Sequence, residues 1–229
     1  MNLLITGTNT EVGKTVLTAA LAAYGLTYLK NYDNFKLMKL LQTGLPGDKE
    51  FFQSIFATAP QLEIITPISF TTPIAPPLAA AKEGKKIDLA SVWQVIAQAQ
   101  NQKDWLLIEA LGGLGSPVTA ELTVADIAGD WRLPTVLVVS AQLGAISQAV
   151  ANVALARQAR VNLKGIVISC PDKKSEAHLA DLAPRDMIES FTNVPVLGVL
   201  PYLANLQDIS KLATVASNLD LEIILPAIS

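Results

Sequence analysis

The sequence contains almost no residues suited to thiol or histidine chemistry. Its 229 residues include one cysteine, Cys170, and one histidine, His178. A single cysteine excludes an intramolecular disulfide and a multi-cysteine metal site, and it fits a reducing compartment. His178 lies in a polar, charged stretch, which indicates a surface position. A mechanism that depends on a histidine base, a Ser-His-Asp set or a histidine metal site is therefore not expected.

Charge is also scarce. Charged residues make up 16% of the chain, the net charge is −3, and hydrophobic residues reach 51%. This balance predicts a globular core and argues against a nucleic-acid partner. The richest apolar stretch, Pro134–Ala156, is interrupted by polar side chains, so no membrane span is expected. No signal peptide is recognisable, and we expect a cytoplasmic protein.

Continuous apolar runs alternate with helical patterns along the chain. This alternation predicts an α/β protein, with a doubly wound, mostly parallel sheet of about seven strands and helices on both faces. We expect one domain over 1–229, because no linker or repeat is visible. The runs that predict strands are Asn2–Thr6, Phe35–Leu41, Glu63–Thr66, Trp105–Ile108, Thr135–Val139, Gly165–Ile168, Pro195–Leu200 and Leu221–Leu225.

The first sixteen residues combine a strand, a glycine-framed loop and a helix start. The loop Gly7–Gly13 is followed by Lys14 and Thr15, and a helical pattern begins at Val16. Backbone N–H groups of such a loop and the helix N-terminus bind phosphate. Lys14 would contact the β- and γ-phosphates, and the Thr15 hydroxyl would hold Mg²⁺. Five residues separate the two glycines, one more than in the usual P-loop.

Lys39 lies in an otherwise apolar strand, close to its C-terminal end. A buried lysine is costly unless an anion pairs with it. We therefore predict a second clamp for phosphate or carbamate, the alternative being a structural lysine whose ammonium reaches solvent. Lys36, three residues earlier, is expected to be solvated.

Two acidic residues are candidates for a metal site. Glu109 ends the apolar strand WLLIE, which is the pattern of a carboxylate that meets Mg²⁺ at a strand end. Asp48 follows the turn Leu45-Pro-Gly and fits a helix N-cap. It also fits a third magnesium ligand beside Thr15 and Glu109, and the two roles can coexist.

Function in such sheets gathers where the strands end. Leu143–Ser147 opens a long helix there, and its free N–H groups would suit a carboxylate, unless the segment is an ordinary turn. That helix is apolar almost all round and is predicted to be buried in the core or in a subunit interface. With the phosphate loop, these features favour magnesium-nucleotide phosphoryl transfer.

Several of these motifs resemble the dethiobiotin synthetase family. GTNTEVGKT at Gly7–Thr15 is similar to its GTDTxVGKT loop, including the extra residue, and KLLQTG at Lys39–Gly44 is similar to its KPxxTG. EALGGLGSPV at Glu109–Val118 resembles EGAGGxxxPL. LGAISQA at Leu143–Ala149 and LPYL at Leu200–Leu203 resemble its helix start and its nucleotide-base loop. The similarity covers nearly the whole chain in order.

The resemblance implies a P-loop NTPase fold and an ATP-dependent cyclo-ligase of biotin biosynthesis. The enzyme would use ATP and Mg²⁺ to close a ureido ring on 7,8-diaminopelargonate with CO₂ or bicarbonate, through a carbamate and a carbamic-phosphoric anhydride. The products are dethiobiotin, ADP and phosphate. The family is a homodimer with its active site at the interface, so a second subunit would contribute to each site.

The resemblance also implies roles for particular residues. Lys14 and Lys39 would be catalytic, and Thr15, Asp48 and Glu109 would hold Mg²⁺. Ser169-Cys170 stands where members often carry an Asn-Asp pair that reads adenine. The implied nucleotide-binding residues are Asn9, Thr10, Glu11, Val12, Gly13, Lys14, Thr15, Val16, Ser169, Pro201, Tyr202 and Leu203. The implied substrate-binding residues are Thr10, Thr43, Gly112, Leu143, Gly144, Ala145, Ile146 and Ser147.

Two other classes share this loop. The partitioning and septum-positioning ATPases use ATP to dimerise, but they usually carry a second lysine early in the loop, where Thr8 and Asn9 stand here. They would also carry a C-terminal amphipathic membrane helix, whereas Leu221–Leu225 predicts a strand. A related amidoligase would normally come with a glutaminase domain that a chain of this length cannot hold.

Overall fold

A computed structural model describes residues 2–29, 35–102 and 104–225. Seven strands form one sheet in the order β4-β2-β6-β1-β7-β8-β9, and all of its pairs are parallel. Two short strands, β3 and β5, pair separately beside it. The strands are β1 Asn2–Gly7, β2 Phe35–Lys39, β3 Gln42–Thr43, β4 Glu63–Ile65, β5 Ser69–Phe70, β6 Trp105–Glu109, β7 Pro134–Ser140, β8 Asn162–Ser169 and β9 Val196–Leu200.

Helices connect these strands and cover the sheet. They are α1 Lys14–Tyr28, α2 Asp48–Ile55, α3 Pro76–Lys82, α4 Leu89–Gln102, α5 Val124–Asp130, α6 Ala145–Gln158, α7 Lys173–Ala177, α8 Leu179–Leu182, α9 Arg185–Thr192, α10 Ile209–Ala216 and α11 Leu221–Ile224. Within the described ranges, none of these helices has the length and apolar character needed to cross a membrane.

Alternate residues of the strands supply the cores on the two faces of the sheet. On one face, Leu3 and Ile5 of β1 pack with α1 and α10. On the opposite face, Leu4 of β1 packs with α4 and α5, and α6 and α9 cover the strands further along. Burial on both faces explains why the strands are continuous apolar runs. The predicted fold class, a doubly wound parallel sheet with helices on both sides, is confirmed.

The strand order places the phosphate loop at the centre of the sheet. The chain first builds the half of the sheet that holds β2 and β4, returns through β6, and then builds the half that holds β7, β8 and β9. β1 therefore lies between β6 and β7, at the point where the winding reverses. Ligands of doubly wound sheets bind at this point, outside the carboxyl ends of the strands.

The structure corrects the prediction for Leu221–Leu225. Leu221–Ile224 is a four-residue helix rather than a strand, and Ile224 and Leu225 are buried in the core beside α1 and α10. Short apolar runs do not distinguish a strand from a helix, because too few residues show the period. The predicted strand at Leu221–Leu225 therefore no longer counts against the class of partitioning and septum-positioning ATPases, which carry a C-terminal amphipathic membrane helix.

The structure also corrects the prediction for Lys36. Its side chain is mostly buried, and its ammonium is ion-paired, 3.0 Å from Asp104 Oδ2 and 3.3 Å from Glu63 Oε2. β2 has β4 on one side and β6 on the other. The two carboxylates therefore approach Lys36 from both neighbouring strands, a placement that the local sequence does not reveal.

Candidate active site

The loop after β1 has the conformation that a phosphate-binding loop requires. Gly13 precedes the first turn of α1 with φ +99°, a conformation that glycine tolerates better than other residues. A Cβ at this position would lie 2.2 Å from Ser169 Oγ, so the space also demands glycine. Lys14 folds back over the loop, and its ammonium donates to the Asn9 carbonyl at 2.8 Å.

Burial changes the acidity of Lys14. The pKa of its ammonium is lowered to about 8, chiefly by desolvation and also by the nearby Lys39, although Glu109 and Asp48 oppose the shift. A lysine whose charge is this poorly solvated is favoured to pair with an incoming anion. The side chain is therefore suited to phosphate contact.

Lys39 and Glu109 lie side by side because β2 and β6 pair in parallel. The register pairs their Cα atoms, and Lys39 Nζ donates to Glu109 Oε1 at 2.7 Å and to the Ala110 carbonyl at 3.2 Å. The same ammonium forms an ion pair with Asp48 Oδ2. Burial disfavours the charged ammonium, but the two carboxylates outweigh that effect and raise the pKa of Lys39. Lys39 is therefore a charged, buried lysine rather than one that reaches solvent.

Thr15 completes the cluster from the first turn of α1. Its hydroxyl donates to Glu109 Oε1 at 3.1 Å and lies 3.4 Å from Asp48 Oδ1. Lys14, Thr15, Lys39, Asp48 and Glu109 come from four separate segments and meet at the carboxyl ends of β1, β2 and β6. The structure thus brings together all the residues predicted to be catalytic or to hold the metal.

These residues fit a magnesium ion. Thr15, Asp48 and Glu109 supply hydroxyl and carboxylate oxygens, the donors that Mg²⁺ prefers. Glu109 Oε2 is fully buried and, within the described residues, has no hydrogen-bond partner. A buried carboxylate oxygen without a partner is costly. A cation at this position would remove that cost.

The helix that carries Asp48 begins differently from the prediction. Gly47 is the N-cap of α2, and Asp48 is the first helical residue, so the N-cap prediction for Asp48 is wrong. The N–H of Lys49 donates instead to Gln42 Oε1 at 2.9 Å. The Asp48 carboxylate is therefore directed to Lys39 and Thr15 rather than to its own helix.

The predicted substrate residues fall into two places. Thr10, Thr43 and Gly112, from the segments that follow β1, β2 and β6, line a cavity of about 360 Å³, together with Pro73, Ile74, Ala75, Pro76, Leu111, Ser116 and Pro117. Leu143, Gly144, Ile146 and Ser147 line a different groove along α6, and Ala145 lies buried in the first turn of that helix. Within one chain, the two sets do not share a cavity.

The predicted base-binding residues follow two neighbouring strands. Ser169 ends β8, where its register partner is Leu200 of β9, and Pro201–Leu203 continues directly from that strand. Contact with Gly13 places Ser169 beside the phosphate loop. Asn9, Glu11 and Val12 lie within the loop itself, and Val16 lies in the first turn of α1.

Sequence reasoning missed two polar contacts around the site. Gln42, which is 3% exposed, was treated only as part of the chain leaving β2. Thr8 Oγ1 donates to Gln148 Oε1 at 3.1 Å and so joins the phosphate loop to α6. A glutamate three residues after Gly47 has the spacing of a capping box and could have indicated that the cap precedes Asp48, but it does not identify Gln42.

Comparison with known proteins agrees with this geometry. A family model described as an AAA domain matches residues 1–210. The chain is 58% identical to the ATP-dependent dethiobiotin synthetase BioD of Gloeothece citriformis, over 98% of both chains. It is 55% identical to the protein of the same name from Crocosphaera subtropica, over 97% of this chain and 98% of that protein.

Solved structures show a likeness of fold. A ParA family ATPase from Chlorobium tepidum aligns over 100% of this chain and 97% of its own, with a TM-score of 0.59 and 15% identity. The MinD cell division protein of Aquifex aeolicus aligns over 99% and 96%, with a TM-score of 0.56 and 13% identity. At such identities the likeness establishes the P-loop NTPase fold alone. The full-length relatives decide the family: this chain belongs to the ATP-dependent dethiobiotin synthetases, which are ligases.

Proposed function

We propose that this enzyme closes the ureido ring of dethiobiotin from 7,8-diaminopelargonate, CO₂ and ATP, with release of ADP and phosphate. The observation that carries the proposal is the cluster of Lys14, Thr15, Lys39, Asp48 and Glu109, together with a cavity lined by Thr10 of the phosphate loop and by the segments that follow Lys39 and Glu109. It offers two cations for anionic intermediates and oxygen ligands for a metal. The family assignment supplies the substrate.

This cavity suits an aliphatic diamine. Its walls include the apolar side chains of Ile74 and Leu111, and the hydroxyls of Thr10 and Thr43 lie among them. Apolar walls favour a hydrocarbon chain, and a few polar groups fix its orientation. We assign Thr10, Thr43 and Gly112 to contacts with the diamine or its carbamate.

The proposed chemistry has three bond-forming steps. One substrate amine attacks CO₂ and loses a proton, giving a carbamate. A carbamate oxygen then attacks the γ-phosphorus of ATP, and ADP leaves. The second amine attacks the carbonyl of the resulting carbamic-phosphoric anhydride and loses a proton, phosphate leaves, and the ureido ring closes. Every intermediate is anionic, so positioned cations are the main requirement of the site.

The two lysines meet that requirement at different places. Lys14 lies over the phosphate loop and would stabilise the phosphates of ATP. Lys39 is held at the end of β2, facing Glu109 and Asp48, and would stabilise the carbamate and the transferred phosphoryl group. A magnesium ion held by Thr15, Asp48 and Glu109 would supply further charge neutralisation on the phosphates.

We assign the remaining nucleotide contacts to the loop and to two strand ends. Backbone N–H groups of 9–16 would bind the phosphates, as expected of a loop followed by a helix N-terminus. Ser169 and Pro201–Leu203 would contact the base, since β8 and β9 end beside the loop.

We also propose that the enzyme is a homodimer whose interface includes α6. Leu143 is 92% exposed, and with Val150 and Phe191 it forms the rim of an apolar groove of about 540 Å³. An exposed apolar surface of this kind favours a protein partner. In a dimer, Gly144–Ser147 at the N-terminus of one α6 would bind the substrate carboxylate of the other subunit, which would explain why this segment and Thr10 line different cavities within one chain.

The test is phosphate release from MgATP with and without 7,8-diaminopelargonate and bicarbonate, with mass detection of the product. We expect phosphate release that depends on the diamine and is matched by dethiobiotin. ATP hydrolysis that is independent of the diamine, with no dethiobiotin formed, would contradict the proposal. It would favour the class of the partitioning and septum-positioning ATPases.

A further inference from the structure

The helix that presents Asp48 is capped by a side chain of the strand that precedes it, β3. A helix N-terminus leaves N–H groups that need acceptors, and the N-cap side chain normally supplies one. The N-cap of α2 is Gly47, which has no side chain. Gln42 of β3 supplies the acceptor instead: its Oε1 receives the Lys49 N–H at 2.9 Å.

The same glutamine also holds the second half of the cap. Glu50 Oε2 accepts from the Gly47 N–H at 2.8 Å, as in a capping box. Gln42 Nε2 donates to that same oxygen at 2.9 Å. These two bonds hold the pKa of the Glu50 carboxyl below its usual range, the Gly47 N–H being the larger cause. One amide therefore fixes the backbone on both sides of Asp48.

The packing leaves little freedom in this arrangement. Gln42 is 3% exposed, and its own N–H donates to the Ile68 carbonyl at 3.0 Å. A Cβ added at Gly47 would lie 2.6 Å from Gln42 Cδ, so the amide lies flat against the glycine. Neither partner can move without disturbing the other.

An aspartate at a helix start normally caps its own helix, and a capping carboxylate is then directed to backbone N–H groups. Here the cap comes from Gln42 and Glu50, and Asp48 is directed to Lys39 and Thr15 instead. We propose that Gln42 is a positioning residue for the metal site: by capping α2 it releases the Asp48 carboxylate to bind the cation. This inference rests on the proposed function, because it takes Asp48 as a metal ligand.

The first test measures metal affinity rather than turnover. Mn²⁺ replaces Mg²⁺, and its dissociation constant is determined by electron paramagnetic resonance with a non-hydrolysable ATP analogue bound. Gln42→Met keeps the length of the side chain and removes its hydrogen bonds to Lys49 and Glu50, together with a longer one of 3.5 Å to the Gly44 carbonyl. We expect it to weaken Mn²⁺ binding about 10- to 100-fold, the usual effect of losing a residue that orients a ligand, while affinity for the metal-free analogue stays unchanged.

The matched control is Asp88→Ala. Asp88 Oδ1 accepts from the second N–H of α4, that of Ala90, at 3.0 Å, as Gln42 Oε1 does for α2, and Asp88 is an exposed residue outside the charged cluster. Loss of this cap should lower thermal stability and leave Mn²⁺ affinity unchanged. A folded Gln42→Met protein that binds Mn²⁺ within twofold of wild type would overturn the inference.

An exchange of the two side chains gives a second test that does not depend on Gln42→Met folding. Gln42→Glu alone places a second carboxylate beside that of Glu50, and the two repel each other. This variant should weaken Mn²⁺ binding, although an added negative charge by itself would strengthen it. Gln42→Glu combined with Glu50→Gln restores an amide donor and a carboxylate acceptor between the two positions, with their places exchanged. We expect recovery to within about threefold of wild type, and absence of recovery in a folded double variant would refute the role.

Measurements on the wild-type protein distinguish a failure of the Gln42 role from a failure of the metal assignment of Asp48. If it forms dethiobiotin and binds Mn²⁺ but the Gln42 variants bind Mn²⁺ normally, only the positioning role fails. If wild-type protein with the analogue bound does not bind Mn²⁺, the metal assignment of Asp48 fails and the inference fails with it.

Discussion

Replacement of Lys39 by methionine tests the centre of the proposed mechanism. Lys39 is the cation between Glu109 and Asp48, and it is the residue assigned to the carbamate. Lys39→Met keeps most of the aliphatic stem and removes only the ammonium. The substitution should therefore affect charge far more than packing.

The structure sets the size of the effect. At 2.7 Å from Glu109 Oε1, with an effective dielectric constant of about 20, the attraction is about 6 kcal/mol. Desolvation offsets part of it, and removal of one partner of a buried pair costs about 3–5 kcal/mol. Because Asp48 is partly exposed and Glu109 can take up a proton, we expect a loss of about 3 kcal/mol in the free energy of unfolding.

The effect on catalysis should be larger than this loss of stability explains. Removal of one preorganised charge that faces the developing negative charge lowers kcat about 10²- to 10³-fold. Mn²⁺ affinity should not fall, because the deleted ammonium competes with the metal for the same carboxylate oxygens. A variant that was merely misfolded around the site would lose metal affinity as well.

The assay is steady-state phosphate release at saturating substrates, beside denaturant unfolding of the same samples. Lys36→Met is the matched control: it removes a lysine of the same strand that also lies between two carboxylates, those of Asp104 and Glu63, away from the phosphate loop. It should lose a similar amount of stability and keep its activity. Turnover of Lys39→Met within threefold of wild type would refute the role of Lys39. An equal loss of turnover in Lys36→Met and Lys39→Met would refute it as well.

Three further substitutions test the surrounding assignments. Gly13→Ala places an alanine at a left-handed φ and brings its Cβ against Ser169 Oγ. It should therefore lower the free energy of unfolding by about 1–2 kcal/mol. It should also weaken ATP binding in titration calorimetry, and an unchanged affinity would contradict the loop assignment. Ser169→Asn should sharpen the preference for ATP over other triphosphates, and an unchanged preference would move base recognition to Pro201–Leu203. Leu143→Asp should convert a dimer to monomer in sedimentation without loss of fold, because the residue is exposed in one chain; an unaltered mass would place the interface elsewhere.

Most of the fold and the charged cluster could be predicted because the signals are local. Continuous apolar runs show buried parallel strands, and Gly13-Lys14-Thr15 marks the helix start after β1. Lys39 and Glu109 were each predicted from a charged residue at the end of an apolar strand. Their contact then follows from topology, since parallel neighbours bring their carboxyl ends to one edge.

The errors share a different physical cause, which is a contact from another strand that the residue's own type and pattern do not reveal. Lys36 was expected in solvent, yet Asp104 approaches it from across the sheet. Asp48 was expected to cap its helix because aspartate does so in isolation, yet Gln42 already occupies that role from a separate strand. In both cases the local preference is correct for the residue alone and is overridden by tertiary contact.

Gln42 shows why such residues escape a reading of the sequence. A glutamine in a short polar segment has many possible partners, and nothing in its own neighbourhood distinguishes a buried amide from a solvated one. Its capping role is visible only in the structure, where the Gln42 side chain lies against Gly47, a residue that has no side chain to cap the helix. The glycine and the glutamine together explain how a helix can start with an aspartate and still offer that carboxylate to a cation. In the proposed role, the Asp48 carboxylate thus depends on a neutral amide that carries no chemical signature of its own.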